Sequence, residues 1–303
     1  MRIVMSGSSG LVGSVLLPEL GTAGHQVARL VRPGTAPASA PGQSDIAWDP
    51  PGEKIEAARL EGVDAVVHLA GENISAGRWT AARKEKIRKS RVNGTQFLSE
   101  TLTKLKRPPR VLVSASAIGY YGDRGDEPLR ETSPRGRGFL PAVCVAWESA
   151  TERAEKHGLR VVHLRFGIIL STRGGALGKM LIPFKLGLGG PVGSGRQYWS
   201  WVAIDDAVGA IQHALAKEDL RGPVNVVVPA PITNLEFTRT LARALRRPAF
   251  FPVPAFAARL ILGEMADALL LASVRVVPEA LKASGYRFRY PELEPALRHL
   301  LGR

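Results

Sequence analysis

"RIVMSGSSGLVGSVLLPEL", residues 2–20, joins a strand to a helix through a glycine-rich turn. "RIVMS" has the β-branched, apolar character of a buried strand, and Gly7, Gly10 and Gly13 follow it directly at the opening of a helix. Glycines at that junction let the backbone approach a pyrophosphate closely. The helix N-terminus adds unpaired N–H groups and positive partial charge. Gly7, Ser8, Ser9, Gly10, Leu11 and Val12 are therefore the candidate phosphate-contacting residues, the alternative being a tight turn that holds no ligand. Pro18 lacks a backbone donor and is expected to kink the helix.

The rest of the chain repeats the pattern. "QVARLVR" (26–32), "DAVVHLAG" (64–71), "RVLVSAS" (110–116), "LRVVHLRFG" (159–167) and "PVNVVV" (223–228) read as buried parallel strands separated by helix-length segments. In "DDAVGAIQHALA", Asp205 is placed to cap, and Val208, Ile211 and Leu215 recur at spacings of three and four. Alternation of this kind specifies an α/β fold, a doubly wound parallel sheet of the Rossmann type. Residues 33–44 read as a surface loop, and 172–197 are too rich in glycine for one regular element. The texture changes near 231. Residues 1–230 are expected to form the dinucleotide-binding domain, with 172–200 contributing to the substrate side, and 231–303 a smaller, mostly helical substrate-side domain.

Composition narrows the function classes. A chain of 303 residues, 45% hydrophobic and 22% charged, buries a large core. The sequence starts without a signal-like apolar run and has no stretch long enough to span a bilayer, so a cytoplasmic protein without membrane contact is expected. Its single cysteine excludes an internal disulfide, and the histidines at 25, 68, 157, 163, 213 and 299 show no ligand spacing, so no metal is implied. The net charge of +14 raises the question of nucleic acid, and Arg78–Arg91 holds seven basic residues against one glutamate. A solvated basic helix is the favoured reading, because no nucleic-acid signature accompanies the segment.

The second strand bears on the cofactor. An NAD site places an acid at the end of that strand to accept the ribose hydroxyls. Here the strand ends on Arg32, with no acid before Asp45. A guanidinium pairs with a 2′-phosphate that a carboxylate would repel, so NADP(H) is favoured over NAD. Leu69, Ala70 and Gly71 at the end of "DAVVHLAG", Ser114 in "RVLVSAS" and Arg165 in "LRVVHLRFG" complete the expected cofactor side.

With its Gly-x-x-Gly-x-x-Gly spacing, "HLAG", "SASAIGYYG" and "WSWVAIDDAVGAIQHAL", the chain resembles the extended short-chain dehydrogenase/reductases. "HLAGENI", "KSR", "AWE", "LGLGGPVGSG" and "LASVRVVPEALKASGY" narrow the resemblance to an atypical, epimerase-like family with a C-terminal domain of unassigned role. The resemblance implies a Rossmann domain binding NADP(H), with substrate held against the C-terminal part. It also implies a serine, matched by Ser116, and a Tyr-x-x-x-Lys pair on the next helix. Cys144 and Glu148 stand where that tyrosine and lysine belong.

A carboxylate four residues from a thiol disfavours the thiolate, so Cys144 reads as a packed thiol rather than a nucleophile. Glu148 could accept from a ribose hydroxyl or from substrate. Tyr120 and Tyr121 are alternative proton donors, Arg91 could face substrate or phosphate, and Gly193, Ser194, Gly195 and Arg196 could close on an anionic small molecule. The leading expectation is an NADP(H)-dependent oxidoreductase or epimerase-like enzyme of atypical mechanism. The rivals are a non-catalytic NADP(H)-binding sensor or scaffold and, more weakly, a nucleic-acid-associated dinucleotide binder.

Overall fold

The computed structural model describes residues 1–35 and 42–303. In chain order its elements are β1 (Arg2–Ser6), α1 (Gly13–Thr22), β2 (Gln26–Val31), β3 (Gln43–Asp49), β4 (Lys54–Ile55), β5 (Ala65–His68), α2 (Ala81–Thr103), β6 (Val111–Ala117), α3 (Phe139–Ser149) and α4 (Glu152–Lys156). There follow β7 (Arg160–Phe166), β8 (Ile168–Ser171), α5 (Gly175–Lys185), β9 (Tyr198–Trp199), β10 (Trp201–Ala203), α6 (Ile204–Ala216), β11 (Gly222–Val226), β12 (Ile232–Thr233), α7 (Asn234–Leu245), α8 (Ala255–Leu262), α9 (Glu264–Ala266), α10 (Glu279–Ala283) and α11 (Leu293–Leu300).

Among the described residues eight strands make the main sheet in the order β11-β7-β6-β5-β1-β2-β3-β4, parallel throughout except for the short antiparallel β4. The chain leaves β1 toward one edge and returns beside it as β5, so the order reverses at β1. A crevice opens at that point beyond the strand ends, where doubly wound sheets bind ligands. Val4, Val66 and Leu112 face one apolar core beneath α2 and α4, while Ile3, Met5, Val67 and Val113 face the other with α1 and α6. Two-sided burial explains why these strands read as continuous apolar runs.

The expected loop at 33–44 is corrected at its end, because Gln43 and Ser44 open β3; its residues 36–41 lie outside the described residues. Helix α1 continues through Pro18 to Thr22. Asp205 does not cap α6: Ala203 holds that position, and Asp205 and Asp206 lie in the first turn. The fully buried Asp206 instead accepts hydrogen bonds from the Tyr286 hydroxyl and from the N–H groups of Arg289 and Tyr290, fastening the C-terminal segment to the Rossmann sheet. Helices α5, α7 and α11 share a further apolar core through Leu181, Phe237, Leu241 and Leu297. No helix among the described residues is long and apolar enough to cross a membrane.

Candidate functional site

The turn from β1 to α1 is built on its glycines. Gly7 has φ +72°, and a Cβ there would lie 2.7 Å from the Leu69 carbonyl carbon; a Cβ on Gly13 would lie 2.1 Å from the Gly7 oxygen. These two glycines let the turn sit against the end of β5 and let the helix sit against the turn. Gly10 differs, since its Cβ would meet only the Gly7 oxygen, at 3.3 Å. Gly10 is exposed, and no other atom lies within 4 Å of that Cβ, so a side chain there would occupy open space at the turn. Among the described residues, the N–H groups of Leu11, Val12 and Gly13 have no protein acceptor, and no side chain caps the helix. Ser8 and Ser9 flank this cradle, half-buried and exposed respectively. Donors around an open glycine fit a pyrophosphate.

Arg32 lies at the end of β2 on the same edge of the sheet. It is exposed, and among the described residues its guanidinium has no hydrogen bond or ion pair. Arg29, three residues earlier, is paired with Asp45 through two contacts of 2.7 and 2.8 Å, which engage both oxygens of that carboxylate. The residues thus fit a dinucleotide carrying a 2′-phosphate better than one without it.

At the end of β5, Ala70 N–H donates to Ser6 Oγ, and Gly71 is exposed beside the Arg91 guanidinium, which would lie 3.3 Å from a Cβ there. Arg91 is half-buried, 5.0 Å over the Trp147 ring, and burial pushes its pKa down. Beneath Arg91 lies a buried chain of hydrogen bonds. Trp147 Nε1–H donates to Thr95 Oγ1, Thr95 meets His68 Nε2 at 2.9 Å, and His68 Nδ1 meets Ser6 Oγ at 2.6 Å. Burial lowers the His68 pKa to about 4, so the ring is neutral. If Thr95 gives its own proton to Nε2, Nδ1–H donates to Ser6, the tautomer that leaves no hydroxyl proton of Thr95 unpaired. A histidine in an apolar parallel strand must be neutral and bonded, and that was the available signal.

The end of β6 is closed. Glu148, in the position of the family lysine, accepts from Ser116 Oγ at 2.6 Å and from Arg165 Nε and Nη2 at 2.8 Å each. Arg165 also donates to the Tyr121 hydroxyl at 2.9 Å, and Tyr121 donates to Asn225 Oδ1 at 2.7 Å. Arg165 is 3% and Tyr121 0% exposed. Burial alone would lower the Arg165 pKa, but its bonds to Glu148 raise it; burial pushes Tyr121 up to about 12.

Three expectations are corrected by this arrangement. Arg165 does not offer its guanidinium to a cofactor, because its donors are spent on Glu148, Tyr121 and the Glu131 carbonyl. Glu148 does not await a ribose or substrate hydroxyl, since both its oxygens are engaged. Tyr121 is an internal strut rather than a proton donor. Ser116 and Ser114 are buried as well, and Ser114 donates weakly to the Ala115 carbonyl. Tyr120 stands apart: it is half-buried, its ring lies 3.5 Å from the Arg165 guanidinium, and its hydroxyl has no partner among the described residues.

Cys144 is buried, and burial, then the Glu148 charge, pushes its thiol up to about 12. The basic segment is largely spent: Arg83 pairs with Glu72, Lys84 with Glu264 and Lys89 with Glu85, and Arg78 donates to the Leu260 carbonyl. In the 193–196 loop, Ser194 and Arg196 are exposed, while Gly193 N–H is tied to Val253.

Residues 3–228 match the model of the NAD dependent epimerase/dehydratase family, and 253–300 match a domain of unknown function, DUF1731. The epimerase family protein Mb2239 of Mycobacterium bovis is 42% identical over 295 residues, covering 97% of this chain and 96% of its own. The fold is similar to the crystal structure of human epimerase family protein SDR39U1 with NADPH, with a TM-score of 0.89, 34% identity and 100% of both chains covered. It is also similar to a nucleoside-diphosphate sugar epimerase from Corynebacterium glutamicum, with a TM-score of 0.81 and 37% identity over 100% of this chain and 58% of that one. The chain belongs to the NAD dependent epimerase/dehydratase family.

Proposed function

We propose that this chain is an NADP(H)-dependent oxidoreductase or epimerase-like enzyme acting on a small molecule, with Tyr120 handling the proton in place of a Tyr–Lys pair. The observation that carries the cofactor reading is Arg32, exposed and without a side-chain partner among the described residues, beside an open glycine cradle. The NADPH in the crystal structure of the human relative supports it.

In this reading the donors of Leu11, Val12 and Gly13 bind the diphosphate over Gly10, and Arg32 meets the 2′-phosphate. The bound nicotinamide supplies or accepts hydride. Arg165, clamped by Glu148, fixes the Tyr120 ring from below and acts as a positioning residue. Tyr120 Oη, without a partner among the described residues, gives or takes the proton at the substrate oxygen. Arg91, beside Gly71, and Arg196 favour an anionic substrate.

A panel of carbonyl compounds tested with NADPH decides the matter. Tyr120→Phe should lower turnover about 100-fold or more while leaving NADPH affinity unchanged. Equal turnover in the two proteins would remove Tyr120 from the chemistry. A second reading, a non-catalytic NADP(H)-binding sensor or scaffold, is favoured by the internal engagement of Ser116 and Glu148. It predicts tight NADPH binding and no hydride transfer to any member of the panel.

A further inference from the structure

Nine large apolar side chains are exposed among the described residues, and eight of them fall in two short segments: Ile182, Leu186 and Leu188, and Phe250, Phe251, Phe256, Leu260 and Ile261. The two segments are neighbours. Phe251 N–H donates to the Gly189 carbonyl, Val253 N–H donates to the Pro191 carbonyl, and Gly187 lies against Pro248. Phe250 is 82% and Phe251 57% exposed, and α8 turns Phe256 and Leu260, one helical turn apart, outward while Ala258 faces in. Apolar side chains concentrated this way mark an interaction surface rather than ordinary scatter.

The border of the patch is basic. Lys185, Arg246, Arg247 and Arg303 line one groove with Leu245, and no acidic side chain lines it. Among the described residues none of these four cations has a carboxylate partner. Two copies meeting through this patch would bring the cations of one toward those of the other, on a chain of net charge +14. An anionic surface with an apolar interior satisfies both parts. Aromatic and aliphatic groups enter the acyl boundary, and lysine and arginine stay at the headgroups.

We propose that the face formed by residues 182–188 and 246–261 docks this protein on anionic lipid bilayers, lying on the membrane without spanning it. The expectation of no membrane contact rested on the lack of a spanning segment, which says nothing about a surface of this kind. The docking face is independent of the proposed chemistry, so either can fail alone.

The test is co-sedimentation of the intact protein with vesicles of phosphatidylcholine, with and without 30 mol% phosphatidylglycerol (about a third of the lipid, enough for a strong surface potential). Wild type should bind the anionic vesicles, lose most binding in high salt, and bind neutral vesicles at least about tenfold less. F250S/F251S and R246E/R247E should each reduce binding at least about tenfold while leaving the NADPH affinity of the unlipidated protein unchanged, which shows the fold is retained. Failure of wild type to bind anionic vesicles, or binding unaltered in both variants, overturns the proposal. So does a wild-type dimer in sedimentation equilibrium that F250S/F251S disperses, which would make a second copy the occupant. Retention on polyglutamate without vesicle binding would likewise overturn it, in favour of an acidic polypeptide.

Discussion

The β1–α1 turn and the end of β6 lie on the same edge of one sheet, yet they are built in opposite ways. At the turn, backbone donors, an open glycine and Arg32 find no acceptor or counter-ion among the described residues. At β6, Ser116, Glu148, Arg165, Tyr121 and Asn225 satisfy one another in a nearly closed chain. Polar groups left open at a ligand crevice are held for a ligand. Groups that close on each other hold the structure. Family position alone would have made Glu148 a catalytic residue; its bonds make it the counter-ion of Arg165.

The sharpest way to break this contrast is to open the closed end. Arg165→Leu leaves the partly buried Glu148 carboxylate without its cation and Tyr121 without a donor, and about 3 kcal/mol of stability should be lost in denaturant unfolding. A loss below about 1 kcal/mol would mean that the pair is not structural.

A comparable effect is expected from acid. Unfolded, His68 takes a proton near pH 6.5; folded, it refuses one until about pH 4. The unfolded state therefore binds more protons across that window, and stability falls as the pH drops through it, by roughly 3 kcal/mol for this group. Unfolding measured from pH 7 to 4 should show a His68→Gln variant losing less stability on acidification than wild type.

At the open end, Gly10→Val should keep the fold, because its Cβ meets only one atom at 3.3 Å, but should weaken NADPH binding about 100-fold by filling the cradle. Titration of the folded variant checks this, and normal affinity would mean that the phosphate site lies elsewhere.

The smallest effect belongs to Cys144. With its thiol pushed up to about 12, it should react with iodoacetamide near neutral pH at least about 100-fold more slowly than a free thiol. Cys144→Ser should change NADPH affinity by less than about twofold.

How much was legible in the sequence follows the range of the contacts. The glycine turn is local, so Gly7, Gly10 and Gly13 announced both the strand and the helix. The central strands were visible because burial on both faces leaves unbroken apolar runs. Strand β3 was missed because it is nearer the sheet edge and mixes the buried Ile46 and Trp48 with Gln43, Ser44 and Asp45. The closed cluster could not be read, since Glu148 meets Arg165 across 17 residues and Tyr121 meets Asn225 across 104. Only the order of β6, β7 and β11 brings those residues together. For the same reason the exposed face of 182–188 and 246–261 was invisible. Its residues look like core in the sequence and become surface only once α5 and α8 are placed.

The claim that the open end is shaped for a 2′-phosphate is tested most directly by the dissociation constants of NADPH and NADH for wild type and Arg32→Ala. Wild type should prefer NADPH by about 1.5–3 kcal/mol, roughly 10- to 100-fold, and the variant should lose most of that preference through weaker NADPH binding. Equal affinity of the wild-type protein for the two cofactors would mean that Arg32 does not read the 2′-phosphate.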